Sequence, residues 1–274
     1  MSSNDSWLAS VETLVSGFAE EHSYTFSKKS RELSASFEIG CFHALLNYYE
    51  KVGFELSVEN LTTDNEFRYL TTPNGNPDNF SFVVAKIGQS EYEIRQQLKI
   101  YSNIDEMISF APDLSVVKRN VTIEKVKDKD FANGKRAFYR VSSLDVIAAH
   151  ECKSMPPFPE LMISFVGMYI TAHTWHSDEE PTVVHDKEGL HLAPTMFVGG
   201  HAKAMHLKMI QAMERAYPIN IVVGMHEGVW NLYKDNRKLN KLHVIDEDHS
   251  TLGGNWLASF LNPPELIIEQ TVQK

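Results

Sequence analysis

The chain has 274 residues, of which 43% are hydrophobic and 23% are charged, and its formal net charge is −10. This balance fits one large domain with elaborations and argues against a phosphate-binding surface over the whole protein. Two cysteines exclude a disulfide framework, so we expect a protein of the reducing cytoplasm. The N-terminus lacks the features of a signal peptide, and no apolar stretch reaches the roughly 18 residues that cross a bilayer.

Two helices are predicted first. Residues 1–33 form a polar N-terminal extension that carries a short amphipathic helix around Trp7 to Glu21. The segment SFEIGCFHALLNYYEKVGFEL then predicts a longer helix, because its apolar side chains recur at helical spacing. Gly53 is placed to end this second helix.

A series of strands follows. FSFVVAKIGQSEYEIRQQLKIYS predicts two strands around a tight turn near Gly88. Alternation places five side chains of the second strand on one face: Tyr92, Ile94, Gln96, Leu98 and Ile100. FAPDLSVVK predicts a short strand that begins at Pro112–Asp113, and FYRVSSLDVIAAHECK predicts the next strand.

The second half alternates helices with apolar strands. ELMISFVGMYITAHTW is too apolar for a surface helix, so we expect it to be buried, and APTMFVGG and INIVVGM predict buried strands. HAKAMHLKMIQAMERAY predicts an amphipathic helix with one apolar side: Ala202, Met205, Met209, Ala212, Met213 and Ala216. Helices between apolar strands indicate an α/β domain, residues 34–225, whose sheet is covered on both faces. Residues 226–274 predict a C-terminal extension packed on this core.

One segment is basic although the chain is acidic. Residues 118–140 carry three acidic and eight basic residues, a net charge of +5, and an ANGK turn at 132–135 predicts a hairpin arm. Such an arm can contact the phosphates of nucleic acid, and a solvated hairpin is the alternative. The candidate contacts are Lys118, Arg119, Lys125, Lys127, Lys129, Lys135 and Arg136.

Two charged residues, Glu151 and Lys153, end the apolar run of LDVIAAHECKSM. Alternation puts both side chains on one face, where a surface salt bridge is the ordinary explanation. A buried charge needs a partner or a metal, and Asp113 becomes that partner if its strand pairs antiparallel with this one. Asp145 lies roughly 20 Å away along a continuous strand, and Asp78 lies in a turn-rich loop, so neither is expected at the site.

Pro112–Asp113 at the head of one strand and Glu151–Cys152–Lys153 at the end of the next resemble the motif of the PD-(D/E)xK nuclease superfamily. The order of elements over residues 34–225 is similar too, beginning with a helix that carries Glu38. The resemblance implies a restriction-endonuclease-like α/β core, a mixed central sheet flanked by helices on both faces. The 37 residues between Asp113 and Glu151 depart from the family's pattern and require a hairpin insertion.

The resemblance also implies roles. Asp113, Glu151 and the backbone carbonyl of Cys152 would bind Mg²⁺ or Mn²⁺, which prefer oxygen ligands and activate water toward a phosphodiester. Lys153 would hold that water or help to deprotonate it, and it would offset charge that develops on the phosphate. Glu38 would position a second metal or a water, unless it is an ordinary carboxylate near a helix N-terminus. Gln96 is a further candidate, with an ordinary strand residue as its alternative.

Histidines offer a competing metal site. His173 and His176 in HTWH have ligand-like spacing, but no cysteine pair and no HExxH motif accompanies them. Further candidate histidines follow along the chain, namely His185, His191, His201 and His206. Two glycines in FVGGHAKAM precede a helix, which suits an anion, but a close strand–helix turn explains them without a phosphate-binding loop.

The resemblance to PD-(D/E)xK nucleases implies a metal-dependent nuclease that acts on DNA, and by association with that family a role in a bacterial defence or restriction system. Its expected partners are nucleic acid and a protein, either another chain or a second copy, and no membrane. The first alternative is a binding or assembly subunit that keeps a nuclease-like fold without cleavage. A histidine-metal hydrolase is the second alternative.

Overall fold

The computed structural model describes residue 15 and residues 33–73, 75–102, 105–126, 138–173, 191–217, 219–227 and 244–245. The predicted N-terminal helix, apart from the buried Val15, and most of the C-terminal extension lie outside these residues. The helices of the described residues are α1 (Leu33–Lys51), α2 (Pro159–His173) and α3 (Ala204–Ala216). None of these helices combines the length and apolar character that crossing a bilayer requires.

The strands form three sheets. Their bounds are β1 (Glu55–Glu59), β2 (Phe82–Ile87), β3 (Ser90–Gln96), β4 (Lys99–Tyr101), β5 (Ser109–Phe110), β6 (Leu114–Lys118), β7 (Glu124–Val126), β8 (Phe138–Ser142), β9 (Val146–Lys153), β10 (His191–Leu192), β11 (Thr195–Val198), β12 (Asn220–Val222) and β13 (Val244–Ile245). A seven-stranded sheet has the order β1-β2-β3-β6-β9-β11-β12, and a four-stranded sheet has the order β5-β4-β8-β7. β10 and β13 form a separate pair.

The large sheet is mixed, which confirms the α/β class. β1, β2, β3, β6 and β9 pair antiparallel, whereas β9, β11 and β12 are parallel. Parallel neighbours need a crossover connection, and α2 and α3 supply it after β9 and β11. The carboxyl ends of these three parallel strands therefore lie at one edge of the sheet.

α1 is an internal helix whose apolar side chains fill the main core. Its largest fully buried side chains are those of Phe37, Ile39, Phe42, Leu45, Tyr48 and Tyr49. The helix ends where the sequence predicts, because Gly53 adopts the left-handed φ of +102° that glycine tolerates without steric cost. Its N–H donates to the carbonyl of Glu50 at 3.1 Å, which satisfies one of the last helical acceptors.

The predicted second strand is wrong beyond Gln96. Gln97 has a left-handed φ of +51°, and the chain turns there from the large sheet into the small one. Ile94 consequently packs in the main core, whereas Leu98 and Ile100 pack in a second core with Val141 of β8. The five side chains therefore do not share one face, because the left-handed residue interrupts the alternation of an extended strand.

The predicted strand that ends in Lys153 is two strands in two sheets. A 3₁₀ turn at Ser143–Asp145 separates β8 from β9, and the Ser142 hydroxyl accepts from the Leu144 N–H to start it. β9 begins only at Val146, so Asp145 lies at the far end from Lys153. Asp145 therefore lies beyond the first residue of β9, whereas the predicted site lies at the last residues of that strand.

The basic segment forms part of the small sheet. β7 and β8 pair antiparallel with Lys125 opposite Tyr139. Residues 127–137, which include four of the candidate nucleic-acid contacts, lie outside the described part of the chain. The long connection between Asp113 and Glu151 thus builds a second sheet together with β4 and β5.

The two later helices are less buried than the sequence predicts. α2 buries Met162, Phe165 and Val166, but Ile163 is 58% exposed, because only one side of the helix packs on the core. On α3, Ile210 is buried and Met205 is 57% exposed. Of the predicted apolar side of α3, Ala202, Met209 and Met213 pack against the core, whereas Met205 and Ala212 are exposed. The inward side of the helix is therefore rotated from the predicted one.

Candidate active site

The strands that carry the motif pair as the sequence predicts. β6 and β9 are antiparallel with Leu114 opposite His150, which brings Asp113 beside Glu151. β6 begins at Leu114, whereas β9 continues past the residue opposite it to Lys153. The N–H of Cys152 therefore donates to a side chain. It donates to Oδ2 of Asp113 at 2.7 Å. This hydrogen bond anchors the carboxylate where the two strands separate.

The ammonium of Lys153 lies between the two carboxylates. Its Nζ is 3.1 Å from Oδ2 of Asp113 and 2.5 Å from Oε2 of Glu151. The side chains of Asp113 and Glu151 are only 12% and 13% exposed. The carboxylates of Asp113 and Glu151 therefore both contact one positively charged group, the ammonium of Lys153.

Glu38 joins these residues from α1 through a glutamine that the sequence did not indicate. Gln97 Nε2 donates to Oε2 of Glu38 at 3.1 Å and to Oδ1 of Asp113 at 3.0 Å. Gln96, the predicted candidate, pairs with Leu114 in the strand register and points to the opposite face. Both polar atoms of the buried Gln96 amide lack a hydrogen-bond partner among the described residues. The sequence signal that could have identified Gln97 is its doublet with Gln96 at the end of a strand.

Three carboxyl groups and one ammonium are buried together in the site, and this changes their protonation. Burial and the nearby Asp113 raise the pKa of Glu38 to about 8 and that of Glu151 to about 7. Burial alone would lower the pKa of Lys153, but Asp113 and Glu151 raise it above its ordinary value. A divalent cation bound between these carboxyl groups would favour their charged forms, because its charge offsets the cost of burying them.

Cys152 has two different roles in this arrangement. Its thiol is buried, on the face opposite Glu151 and Lys153, and is in hydrogen-bond contact with the thiol of Cys41 on α1. Its backbone N–H points toward Asp113. Because the N–H and C=O of a strand residue point to the same side, its carbonyl also lies on the Asp113 side, where the predicted metal ligand would be.

The carboxyl edge of the parallel strands adjoins these residues. The N–H groups of Gly199 and Gly200 donate to the carbonyls of Lys153 and Met155 at 2.9 and 3.1 Å. An added Cβ at Gly199 would lie 2.4 Å from the ring of His226, and one at Gly200 would lie 2.7 Å from the backbone of Pro156. The two glycines are therefore required by close packing, as the sequence predicts.

His226 is a neighbour of the site that the sequence did not indicate. Its Nε2 lies 3.2 Å from the hydroxyl of Ser154, which follows Lys153. Its ring meets that of Phe37, the residue before Glu38, edge to face at 5.2 Å between centroids. Burial lowers the pKa of His226, so it favours the neutral form.

The predicted histidine-metal site gains no support from the described residues. His191 is buried and its Nδ1 lies 3.0 Å from the hydroxyl of Tyr49, and His206 accepts from the N–H of Lys203. His176 and His185 lie outside the described part of the chain. Within that part, no three side chains of His, Cys, Asp or Glu are assembled into a metal-binding cluster.

Within residues 118–140, several of the basic side chains that the structure describes make contacts inside the protein. Arg119 contacts Glu59 at 2.7 Å, Glu93 at 2.8 Å and Glu91 at 3.6 Å. Lys118 donates to the carbonyl of Leu144 at 2.9 Å. The guanidinium of Arg119 is thus held by three carboxylates, and a contact with a phosphate would have to compete with them. Lys125 Nζ lies above the Tyr139 ring, 5.9 Å from its centroid.

Comparisons with known proteins find no match to this chain among family models, curated proteins or solved structures. The relation to PD-(D/E)xK nucleases therefore rests on the motif and on the geometry of its residues.

Proposed function

We propose that the protein is a metal-dependent nuclease that hydrolyses phosphodiester bonds in DNA and has a restriction-endonuclease-like core. One observation carries the proposal. Asp113, Glu151 and Lys153 meet in space, with Glu38 linked to them through Gln97. Two acids on neighbouring strands with a lysine between them are the group of residues that the motif requires.

The donor set fits a hard divalent cation. The carboxylates of Asp113 and Glu151 contact the same Nζ atom, so both are within reach of one positive charge. Together with the carbonyl of Cys152, they would hold Mg²⁺ or Mn²⁺ through oxygen ligands alone. Such an ion, when bound, supplies a Lewis acid for the phosphodiester and lowers the pKa of water.

The residues of the chain supply the remaining chemistry. Lys153 keeps its proton at neutral pH because its pKa is raised, so it acts as a hydrogen-bond donor to a phosphate oxygen and not as a base. Glu38 has a pKa of about 8, near the working pH of most enzymes, so it can exchange a proton with water. Burial of these groups strengthens each electrostatic interaction in the site.

Cleavage assays of matched variants test the proposal. The purified full chain is incubated with duplex DNA, single-stranded DNA or RNA and with Mg²⁺ or Mn²⁺. Asp113→Ala, Glu151→Ala and Lys153→Ala should each lower the rate at least about 100-fold. Asp78→Ala and Asp145→Ala are controls on carboxylates outside the site. Unchanged cleavage in all three site variants would reject the assignment.

A second candidate is a nucleic-acid-binding or assembly subunit without cleavage. One observation favours it: Lys153 already occupies the position between Asp113 and Glu151 that a cation would share. The family resemblance leads us to expect a protein partner, either another chain or a second copy. We expect this partner for both candidate functions. Nucleic-acid binding without cleavage under Mg²⁺ and Mn²⁺, alone and with co-purified partners, would establish this second function.

A further inference from the structure

We propose that Gln97 is a positioning residue that fixes the orientation of Asp113 and Glu38 for cation binding. This inference rests on the proposed function, because it concerns the same site. It assigns a role to a residue that lies outside the motif. Gln97 contacts two carboxylates in the described structure, and its side chain is almost fully buried.

The carboxylate of Asp113 is held from two sides. Gln97 Nε2 donates to Oδ1 at 3.0 Å, whereas the N–H of Cys152 and the ammonium of Lys153 donate to Oδ2. The plane of the carboxylate is therefore fixed, with Oδ2 directed toward Glu151. Without Gln97, Oδ1 would lose its donor and the group could rotate about its last side-chain bond.

The amide of Gln97 also links the two elements of the site. An amide nitrogen carries two hydrogens, and the carboxylates of Asp113 and Glu38 take both. Donor groups consequently alternate with the acids, with Gln97 between Glu38 and Asp113 and Lys153 between Asp113 and Glu151. Because the Gln97 amide is neutral, it holds the carboxyl groups of Glu38 and Asp113 close together without placing a positive charge where a cation would bind.

The backbone of Gln97 indicates that its side chain is needed. A left-handed φ of +51° is unfavourable for residues other than glycine, and asparagine tolerates it best. The three other non-glycine residues with positive φ in the described chain are asparagines: Asn60, Asn65 and Asn120. Glycine at position 97 would remove the strain and keep the backbone hydrogen bond to the Asp113 carbonyl, which is 2.9 Å long. Only the amide contacts would be lost.

The test measures cation affinity without nucleic acid. Gln97→Gly and Gln97→Asn are compared with the wild-type protein by calorimetric titration with Mn²⁺ and by thermal unfolding in metal-free buffer. Asn65→Gly, at the same backbone conformation in a distant loop, is the matched control. We expect the dissociation constant for Mn²⁺ to rise about tenfold in both Gln97 variants, since residues that orient metal ligands have effects of this size. The Gly variant should still unfold cooperatively, because relief of the left-handed backbone strain offsets part of the stability lost with the two hydrogen bonds.

Two results overturn the inference. The first is Mn²⁺ affinity within about twofold of the wild-type value in Gln97→Asn and Gln97→Gly. The second is absence of Mn²⁺ binding by the wild-type protein. If Gln97→Gly fails to fold, Gln97→Asn alone decides, because asparagine tolerates the left-handed backbone and cannot reach both carboxylates. The two proposals can fail separately. If Mn²⁺ binding depends on Gln97 but the protein never cleaves nucleic acid, the proposed function is rejected and this inference stands.

Discussion

Lys153 Nζ lies 3.1 Å from Oδ2 of Asp113, a residue 40 positions earlier in the chain. The contact joins the end of β9 to the start of β6 and places a permanent positive charge between two buried acids. It makes the metal-free site a compact ion cluster. The consequences for activity, pH dependence and stability can each be measured.

Replacement of Lys153 by methionine should separate cation binding from catalysis. Lys153→Met removes the donor to the phosphate, so we expect cleavage to fall by about 10²–10³-fold. Mn²⁺ binding should persist, because Asp113 and Glu151 remain. Cleavage rate and calorimetric Mn²⁺ affinity are the measurements, and Lys86→Met, which breaks an exposed pair with Glu91, is the control. A wild-type rate in Lys153→Met would contradict the proposed role.

The stability of the metal-free protein should fall as the pH rises from about 6.5 to 8. Below this range the buried His43 and His150 oppose the effect, because burial lowers their pKa values to about 3. Burial raises the pKa values of Glu38 and Glu151 from 4.5 to about 8 and about 7, so the folded state binds more protons than the unfolded state in this range. The two protonated glutamates therefore contribute to stability at acidic pH. This contribution is lost as the pH rises through their folded-state pKa values. Urea unfolding in the presence of EDTA measures it.

The variant Glu38→Gln tests the origin of this pH dependence. A neutral amide at position 38 should make the stability curve flatter above about pH 6. Added Mg²⁺ should restore stability most at alkaline pH, where the carboxylates are charged. A curve that keeps the full wild-type slope in Glu38→Gln would assign the pH dependence to other groups.

Arg119 should be a structural residue more than a phosphate contact. Glu93 is 2% exposed and relies on Arg119, Arg95 and the N–H of Asn120. Arg119→Ala leaves part of this buried charge uncompensated and should lower the free energy of unfolding by about 3 kcal/mol.

The matched control for Arg119 is Lys86→Ala, whose exposed ion pair should contribute less than about 1 kcal/mol. Urea denaturation gives both values. Filter binding to DNA at several salt concentrations gives the second readout, and an Arg119→Ala protein of wild-type stability with a smaller salt slope would reverse the assignment.

Close packing at Gly200 should link stability to the site. Gly200→Ala places a Cβ against the backbone of Pro156, just after Lys153, and should cost about 1–3 kcal/mol. Gly167→Ala on α2 meets open space and should gain about 0.5–1 kcal/mol from helix propensity. Denaturant unfolding of the pair distinguishes a steric effect from a general effect of alanine. Equal changes in both variants would contradict the packing argument.

Local patterns predicted the elements that carry the motif. The apolar run before Glu151, the Pro112–Asp113 start and the turn glycines gave the pairing of β6 with β9 and the α/β class, because burial and backbone conformation act over a few residues. Asp145 was correctly set aside, although the observed reason is a 3₁₀ turn that removes it from the strand.

Tertiary context decided what the sequence could not give. The left-handed turn at Gln97 depends on contacts with Asp113 and Glu38, which are distant in sequence, so alternation pointed to Gln96 instead. The exposure of Ile163 and Met205 depends on which side of each helix meets the core. A hydrophobic pattern gives the presence of an apolar side and not its orientation in the fold.

The path of the chain between Asp113 and Glu151 has a practical consequence. β6 leaves the large sheet at Lys118, the chain passes through β7 and β8, and β9 returns beside β6 with Val146 opposite Val117. A cut between Arg119 and Asp145 would divide the protein into two fragments, one with Glu38, Gln97 and Asp113 and the other with Glu151 and Lys153. Neither fragment holds all of the candidate site residues, so the proposed cleavage activity should appear only when the two halves are reunited.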